Sequence, residues 1–234
     1  MLHSYLLYLE NEGFIGVPRF LGIDEQGREI LTFLNGKTMN DYPIYHECLS
    51  SDETIIGMAR FLRKLHDTSA GFLKNAIVGE WKSPFPEKHW ETICHNDTAI
   101  WNFVFVNDRL AGLFDFDQAY PAPRVWDLAL SVWSVIPLSS HVPDPVSKTF
   151  LSYDKSIHAA ERKRRINLFF DVYGINCPPD LMDWVIRRIQ GWCEEMKNGA
   201  SAGDDVSMKM VNEGQLAHYE YQVKFLQSNS KDWM

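Results

Sequence analysis

Residues 94–117 read CHNDTAIWNFVFVNDRLAGLFDFD, and this stretch decides the fold. Two apolar runs rich in aromatic and branched residues, 103–106 and 110–114, flank the turn formers Asn107 and Asp108, so the spacing predicts a short antiparallel hairpin. With the turn centred on Asp108 and Arg109, Phe103 faces Phe114, and Asn102 faces Asp115 across the open mouth. An amide and a carboxylate then share a space that Asp97, just before the first strand, also reaches. Oxygen ligands of this kind suit a hard divalent cation such as Mg²⁺, which keeps several waters and takes its remaining ligands from substrate phosphates.

Three readings of this cluster compete. In the first, Asp97 and Asp115 are ordinary turn and strand-end residues of a solvated hairpin. In the second, His95 and Asp97 hold a transition metal, although no further His lies near them in sequence. In the third the cluster transfers a phosphoryl group, which needs a carboxylate to receive a hydroxyl proton and an Asn and an Asp to hold metal. His95, Asp97, Asn102 and Asp115 supply that set in that order.

The run H-N-D-x4-N from His95 to Asn102, followed by the D-F-D of Asp115, Phe116 and Asp117, resembles the motifs of the aminoglycoside phosphotransferase and choline kinase-like family. That family has the protein-kinase-like fold. The resemblance implies Asp97 as the catalytic base and His95 as a brace for the catalytic loop. It implies Asn102 and Asp115 as ligands of the metal that bridges nucleotide phosphates, with Asp117 supporting the metal site. Asn96 stands where relatives often carry Gly, and Asn tolerates a left-handed backbone better than most residues. Downstream, Asp127 opens an apolar helix that ends near Pro137. An acidic residue there suits the positive end of the helix dipole; the resemblance adds a hydrogen bond to the catalytic loop, and the two are compatible.

Upstream, residues 2–11 read as a helix ended by Gly13, and 20–23 with 29–34 as a hairpin around Asp24 to Gly27. In the resemblance these are the remnant of a small lobe, and Thr32, Phe33 and Leu34 lead into the hinge that contacts adenine. Neither a Gly-rich strand-turn-strand nor a lysine-bearing strand precedes them, and Lys37 and Lys64 fall elsewhere. A late start, a reduced lobe and a kinase that binds without transferring are all consistent with this, and a reduced lobe is the reading favoured here.

An amphipathic helix is expected over 52–68, with His66 a structural hydrogen-bonding residue at its end. Residues 79–89 read as a loop anchored by aromatic residues. Beyond residue 145 the chain reads as helices over 155–172, 179–196 and 206–227. The basic run Arg162 to Arg165 reads as a solvated face. Trp184 and Trp192 share a helix face and are expected to pack in the core; the resemblance implies that this helical region also lines the acceptor pocket.

The 234 residues, 45% hydrophobic, suit one α+β unit, with 1–36 the small-lobe remnant and hinge and 37–234 a mostly helical lobe carrying the catalytic hairpin 94–117. A net charge of -8 argues against nucleic acid as a partner and is compatible with a cationic acceptor. The four cysteines form no metal spacing, and no basic segment leads into an apolar stretch, so a cytoplasmic protein without a membrane partner is expected. The function expected is transfer of a phosphoryl group from ATP or GTP, with Mg²⁺, to a hydroxyl of a small molecule. The alternative is a binding or immunity-type protein that has lost catalysis, since some sequences of this group resemble peptide-toxin immunity proteins. A metal-dependent hydrolase is a third reading.

Overall fold

The computed structural model describes residues 1–43, 46–75, 81–144 and 146–234. Its centre is a long helix, here α2 (Asp52–Asn75), on which Ile55, Met58, Ala59, Leu62 and Leu65 are fully buried at helical spacing. Of these, the Ile, Met and Leu side chains each contribute about 1.5–3 kcal/mol by leaving water. The Ser51 hydroxyl accepts from the Thr54 amide at 3.1 Å and caps the first turn. The helix runs past the expected end at residue 68, because its last turns pack on α1 (Leu2–Asn11). There the Tyr5 hydroxyl meets the Ser69 hydroxyl at 2.6 Å, and the Tyr5 and Phe72 rings pack at 5.4 Å. The α1 bounds are those expected from sequence.

α1 leads to a hairpin of β1 (Phe20–Ile23) and β2 (Glu29–Leu31), and no strand precedes β1 among the described residues. After α2, β3 (Thr92–Cys94) pairs with β6 (Tyr120–Ala122), closing a loop around the central hairpin of β4 (Phe103–Val106) and β5 (Arg109–Leu113). The β3–β6 pair was not expected from sequence: each partner has three residues, and they lie far apart in the chain.

The hairpin is present, but its register differs from the expected one. Asn107 and Asp108 both adopt positive φ, 51° and 59°, making a two-residue turn with Val106 opposite Arg109. A bulge between Val104 and Phe105 then shifts the pairing, so that Phe103 faces Leu113 and the Phe114 amide donates to the Asn102 carbonyl at 3.0 Å. Asn102 and Asp115 are therefore not cross-strand partners.

α3 (Val125–Val135) is buried on nearly every side and contacts both α2 and α5 (Leu181–Ser201). A further hairpin, β7 (His141–Asp144) with β8 (Thr149–Ser152), occupies part of the region expected to be helical beyond residue 145. α4 (Lys155–Tyr173) follows. Within its basic run the solvated reading fails for Arg162, which is buried and stacks on Tyr153 and Trp233 at 4.2 and 4.6 Å. The last expected helix divides at Gly214, whose φ of 82° a continuous helix cannot accept, into α6 (Asp205–Asn212) and α7 (Gln215–Asn229). The loop expected over 79–89 is described only from Trp81 onward, where Phe85 packs on Trp126; residues 79 and 80 lie outside the described residues. One hydrophobic cluster runs from Tyr5 and Leu9 of α1 through α2, the central hairpin and α3 to Leu226 and Trp233. No helix among the described residues is long and apolar enough to cross a membrane.

Candidate active site

The loop between β3 and β4 carries His95, Asn96 and Asp97, and a buried carboxylate on α3 fixes its shape. Asp127 accepts from the His95 amide and the Asn96 amide, each at 2.8 Å, and from His66 Nε2 at 3.1 Å. Burial alone would raise its pKa, but the His66 bond and the nearby imidazoles outweigh this and hold the carboxyl below the usual range. The Tyr173 hydroxyl donates to His66 Nδ1 at 2.8 Å, so a chain of hydrogen bonds runs from α4 through α2 to the loop. Thr98 adds a bond from its hydroxyl to the Asp127 carbonyl at 2.8 Å. His66 is the structural hydrogen-bonding residue expected from sequence, and the proposed bond from Asp127 to the loop is present.

His66, Cys94 and Asp127 bring three ligand-type atoms within 4.8 Å of one another. Both His66 nitrogens and both Asp127 oxygens are already engaged, and burial pushes the Cys94 thiol well above its ordinary range. This trio is a hydrogen-bonded brace with a thiol beside it.

His95 is fully buried and ties the loop to the far end of β5. Its Nδ1 accepts from the Asp97 amide at 3.1 Å, and its Nε2 donates to the Phe114 carbonyl at 2.9 Å. Burial lowers its pKa, with the Asp127 charge and the Phe114 bond partly opposing, so the ring is a neutral strut. Asn96 sits at φ 68° and donates to the Cys94 and Gln118 carbonyls, using the left-handed conformation that sequence allowed it.

Asp97 is partly exposed. Asn102, at the end of the 3₁₀ turn Ile100–Asn102, donates from Nδ2 to Asp97 Oδ2 at 2.7 Å and to the Asp97 carbonyl at 2.9 Å. Asp97 Oδ1 is shielded from solvent and has no partner among the described residues. With its nitrogen committed to Asp97, Asn102 has its amide oxygen left for a cation.

Asp97 lines a cavity of about 400 Å³ with Trp101, Trp192, Glu195, Met196 and Tyr219 among its walls. The Asp97 charge contributes, after burial, to raising the Tyr219 pKa. Trp192 packs on Trp101 and Trp133 with ring centroids 5.8 Å away in each case, whereas Trp184 belongs to a separate group with Phe85 and Trp126. Periodicity read both tryptophans as core; Trp192 lines the cavity, the place the resemblance implied for this helical region, and Trp184 does not. Trp101, inside the H-N-D-x4-N run, was the available signal for that wall.

Asp115 lies on the other side of His95. It takes a left-handed conformation, φ 68° and ψ 61°, at the start of the turn Phe116–Gln118. Although exposed, its carboxyl is pushed up by partial desolvation and then by the Asp117 and Asp97 charges, with His95 opposing. Asp115 and Asp117 line a second cavity, about 330 Å³, with Leu2, Leu6, Glu29 and Leu31 of α1 and β2. The two cavities thus flank the loop, with Asp97 in one and Asp115 and Asp117 in the other. The Thr32 hydroxyl accepts from the Arg19 amide at 2.8 Å, Phe33 is 81% exposed, and Leu34 packs near Gly112; none of the three lines either cavity. Lys37 and Lys64 lie over the rings of Tyr42 and Phe14, at 4.9 and 5.0 Å. A larger cavity, about 660 Å³, lies beyond the hairpin turn and contains none of the residues expected at the site.

Residues 84–154 match the sequence model of the phosphotransferase enzyme family. The fold is the protein-kinase-like fold of the aminoglycoside phosphotransferases and related kinases. Amicoumacin kinase hAmiN, in complex with AMP-PNP, Ca²⁺ and Ami, superimposes with a TM-score of 0.60 at 12% identity, over 97% of this chain and 76% of that one. An aminoglycoside phosphotransferase from Streptomyces rimosus, in complex with ADP and streptomycin, gives 0.51 at 15% identity, over 79% and 78%. The trifolitoxin immunity protein of Rhizobium leguminosarum bv. trifolii is 32% identical over 134 residues, 56% of this chain and 49% of that protein. The match therefore spans about half the length of that curated relative.

Proposed function

We propose that this protein is a small-molecule phosphotransferase of one kinase-like unit, residues 1–234, that moves the terminal phosphoryl group of ATP or GTP to a hydroxyl. The observation that carries this reading is Asp97: one carboxylate oxygen is held by Asn102 and the other is unpartnered, beside a cavity of acceptor size. Such a carboxylate orients a hydroxyl and receives its proton. Asn102, Asp115 and Asp117 offer only oxygen ligands, and the like charges that raise the Asp115 pKa are what a cation relieves, so these residues fit Mg²⁺. Bound there, the ion supplies charge neutralisation to the nucleotide phosphates. His95 holds the Asp97 and Asp115 sides of the site in register, and Thr32, Phe33 and Leu34 form the hinge toward the base. The four cysteines are free thiols, which suits the cytoplasm.

The second reading, a binding or immunity-type protein that no longer transfers phosphate, is favoured by the similarity to the trifolitoxin immunity protein. Nucleotide binding separates the two. The phosphotransferase shows a Mg²⁺-dependent thermal shift with ATP or GTP; in Asp97→Asn that shift persists while turnover falls by about 10²–10⁴-fold. No shift with either nucleotide refutes the enzyme, and full activity of Asp97→Asn refutes the base.

A further inference from the structure

The cavity of about 660 Å³ beyond the hairpin turn shares no wall residue with the Asp97 cavity. It lies between the segment that enters α2, the β4–β5 turn, β7 and α4. One face of α4 forms a wall of it, with His158, Glu161, Arg162 and Arg165 at the spacing of successive helical turns.

Charge in this cavity is layered by depth. Its four carboxylates among the described residues, on Glu47, Glu53, Asp108 and Glu161, are exposed and stand toward the mouth, as does Arg109. Two of the four are engaged: Asp108 accepts from the Tyr42 hydroxyl at 2.8 Å, and Glu161 holds Arg164 and Arg165 at 2.7 Å each. The groups set deeper are guanidinium and imidazole. Arg165, His46 and His158 are half-buried, and Arg162 is 3% exposed. His46 Nδ1 accepts from the Cys48 amide at 3.3 Å, so Nε2 carries the proton of the neutral ring and is a donor.

Arg162 has the least answered charge. It stacks on the rings of Tyr153, Phe225 and Trp233 and donates through Nη2 to the Ser139 carbonyl at 2.7 Å. Its Nη1 is shielded from solvent without a partner, and no carboxylate among the described residues pairs with it. Burial pushes its pKa down to about 10, with only the Tyr153 hydroxyl opposing. Aromatic faces return part of the cost of desolvating a cation, but an oxyanion returns more. Among oxyanions, a phosphate brings more charge and more acceptor oxygens than a carboxylate, which suits several donors that converge. The exposed carboxylates are screened by water, so the deep charge governs what the cavity attracts.

We propose that this cavity is a second ligand site, separate from the Asp97 cavity, that takes a small molecule through a phosphate group paired with Arg162. The half-buried Arg165, His46 and His158 surround that group, and the volume beside it holds the rest of the molecule. The site stands whether or not the Asp97 cavity transfers phosphate.

The test is titration of the full chain, in EDTA and without nucleotide, followed by calorimetry and phosphorus NMR. Inorganic phosphate and glycerol phosphate are expected to saturate one site, the ester at least as tightly as the free ion, with glycerol and succinate about tenfold or more weaker. Asp97→Asn should bind glycerol phosphate as the native protein does, which separates this site from the catalytic one. Arg162→Met keeps an unbranched stem against the aromatic rings, removes the charge and should weaken binding about tenfold or more. Ser50→Glu adds a carboxylate to the cavity wall without altering the packing of Arg162, and should weaken binding likewise; it decides the matter if Arg162→Met does not fold. The proposal is overturned by the absence of saturable phosphate binding, by binding of the free ion alone, by succinate binding as tightly as phosphate, by affinity that survives Ser50→Glu or a folded Arg162→Met, or by loss of binding in Asp97→Asn.

Discussion

At the residue scale the site depends on Asp127, a carboxylate with no place in the chemistry. Fully buried on α3, it receives two successive backbone amides of the loop and a ring nitrogen from α2. Removing it orphans all three donors in a dry interior, so Asp127→Ala should lower stability by about 3–5 kcal/mol in urea unfolding. A loss below about 1 kcal/mol, the value of an exposed interaction, would show that the loop keeps its shape without the brace. In sequence this Asp was legible twice, as a dipole partner and as a loop ligand, and the structure shows the second role. Asp97, Asn102 and His95 were legible as a group because they lie in one short run. Asp115 was legible with them as a ligand, but its left-handed conformation was not, because nothing in the sequence distinguishes the Asp that takes positive φ from its neighbours.

At the element scale the central hairpin is coupled to the segment that follows Leu34. Lys37 and Phe105 exchange backbone hydrogen bonds of 2.8 and 2.7 Å, and Gly36 sits at φ 149° just before them. A Cβ on Gly36 would overlap Val104 Cγ1 and lie 2.6 Å from the Phe105 carbonyl oxygen. Gly36→Ala should therefore cost about 1–3 kcal/mol and raise hydrogen exchange at the Lys37 and Phe105 amides. Unchanged exchange at those amides would mean the bridge does not depend on the glycine. The existence of the β4–β5 hairpin followed from its apolar runs and turn residues. Its register did not, since the turn falls one residue earlier, at Asn107 and Asp108, and a bulge residue then moves the pairs beyond it. The β3–β6 pair was invisible for another reason: three-residue strands carry too little pattern to be recognised, and their partners are remote in sequence.

At the scale of the whole molecule, the buried groups of the loop make stability sensitive to acid. The folded pKa of His95 lies below its ordinary value of 6.5, so between these two values the unfolded chain binds more protons than the folded one. Stability is therefore full above 6.5 and is lost as pH falls toward the folded value. Asp127, depressed below 3.8, adds a second loss in the same direction at lower pH. Urea midpoints measured across this range should fall with acidification in two stages, and His95→Gln should shrink the upper stage, to which His218, also held below its ordinary value by burial, adds. A midpoint independent of pH above the carboxylate range would refute the neutral-strut role of His95. The helical content and order of most elements were legible because amphipathic stripes report on burial, and most of the helices among the described residues pack into one main cluster, with a smaller one around Phe85 and Trp126. The make-up of the cavity beside Asp97 was not legible from periodicity, because it is assembled from the loop, α5, α6 and α7, and its aromatic lining reads as core when each helix is taken alone.

Two tryptophans of that lining, Trp101 and Trp192, with Trp133 packed against both, also have an optical property. Trp101, Trp133 and Trp192 stand with ring centroids 5.8–6.4 Å apart, close enough for their electronic transitions to couple. Coupling of this kind depends on the mutual angles of the rings, so a molecule that enters beside Asp97 and turns one indole alters the circular dichroism of the unlabelled protein. The cavity is in this sense its own spectroscopic reporter.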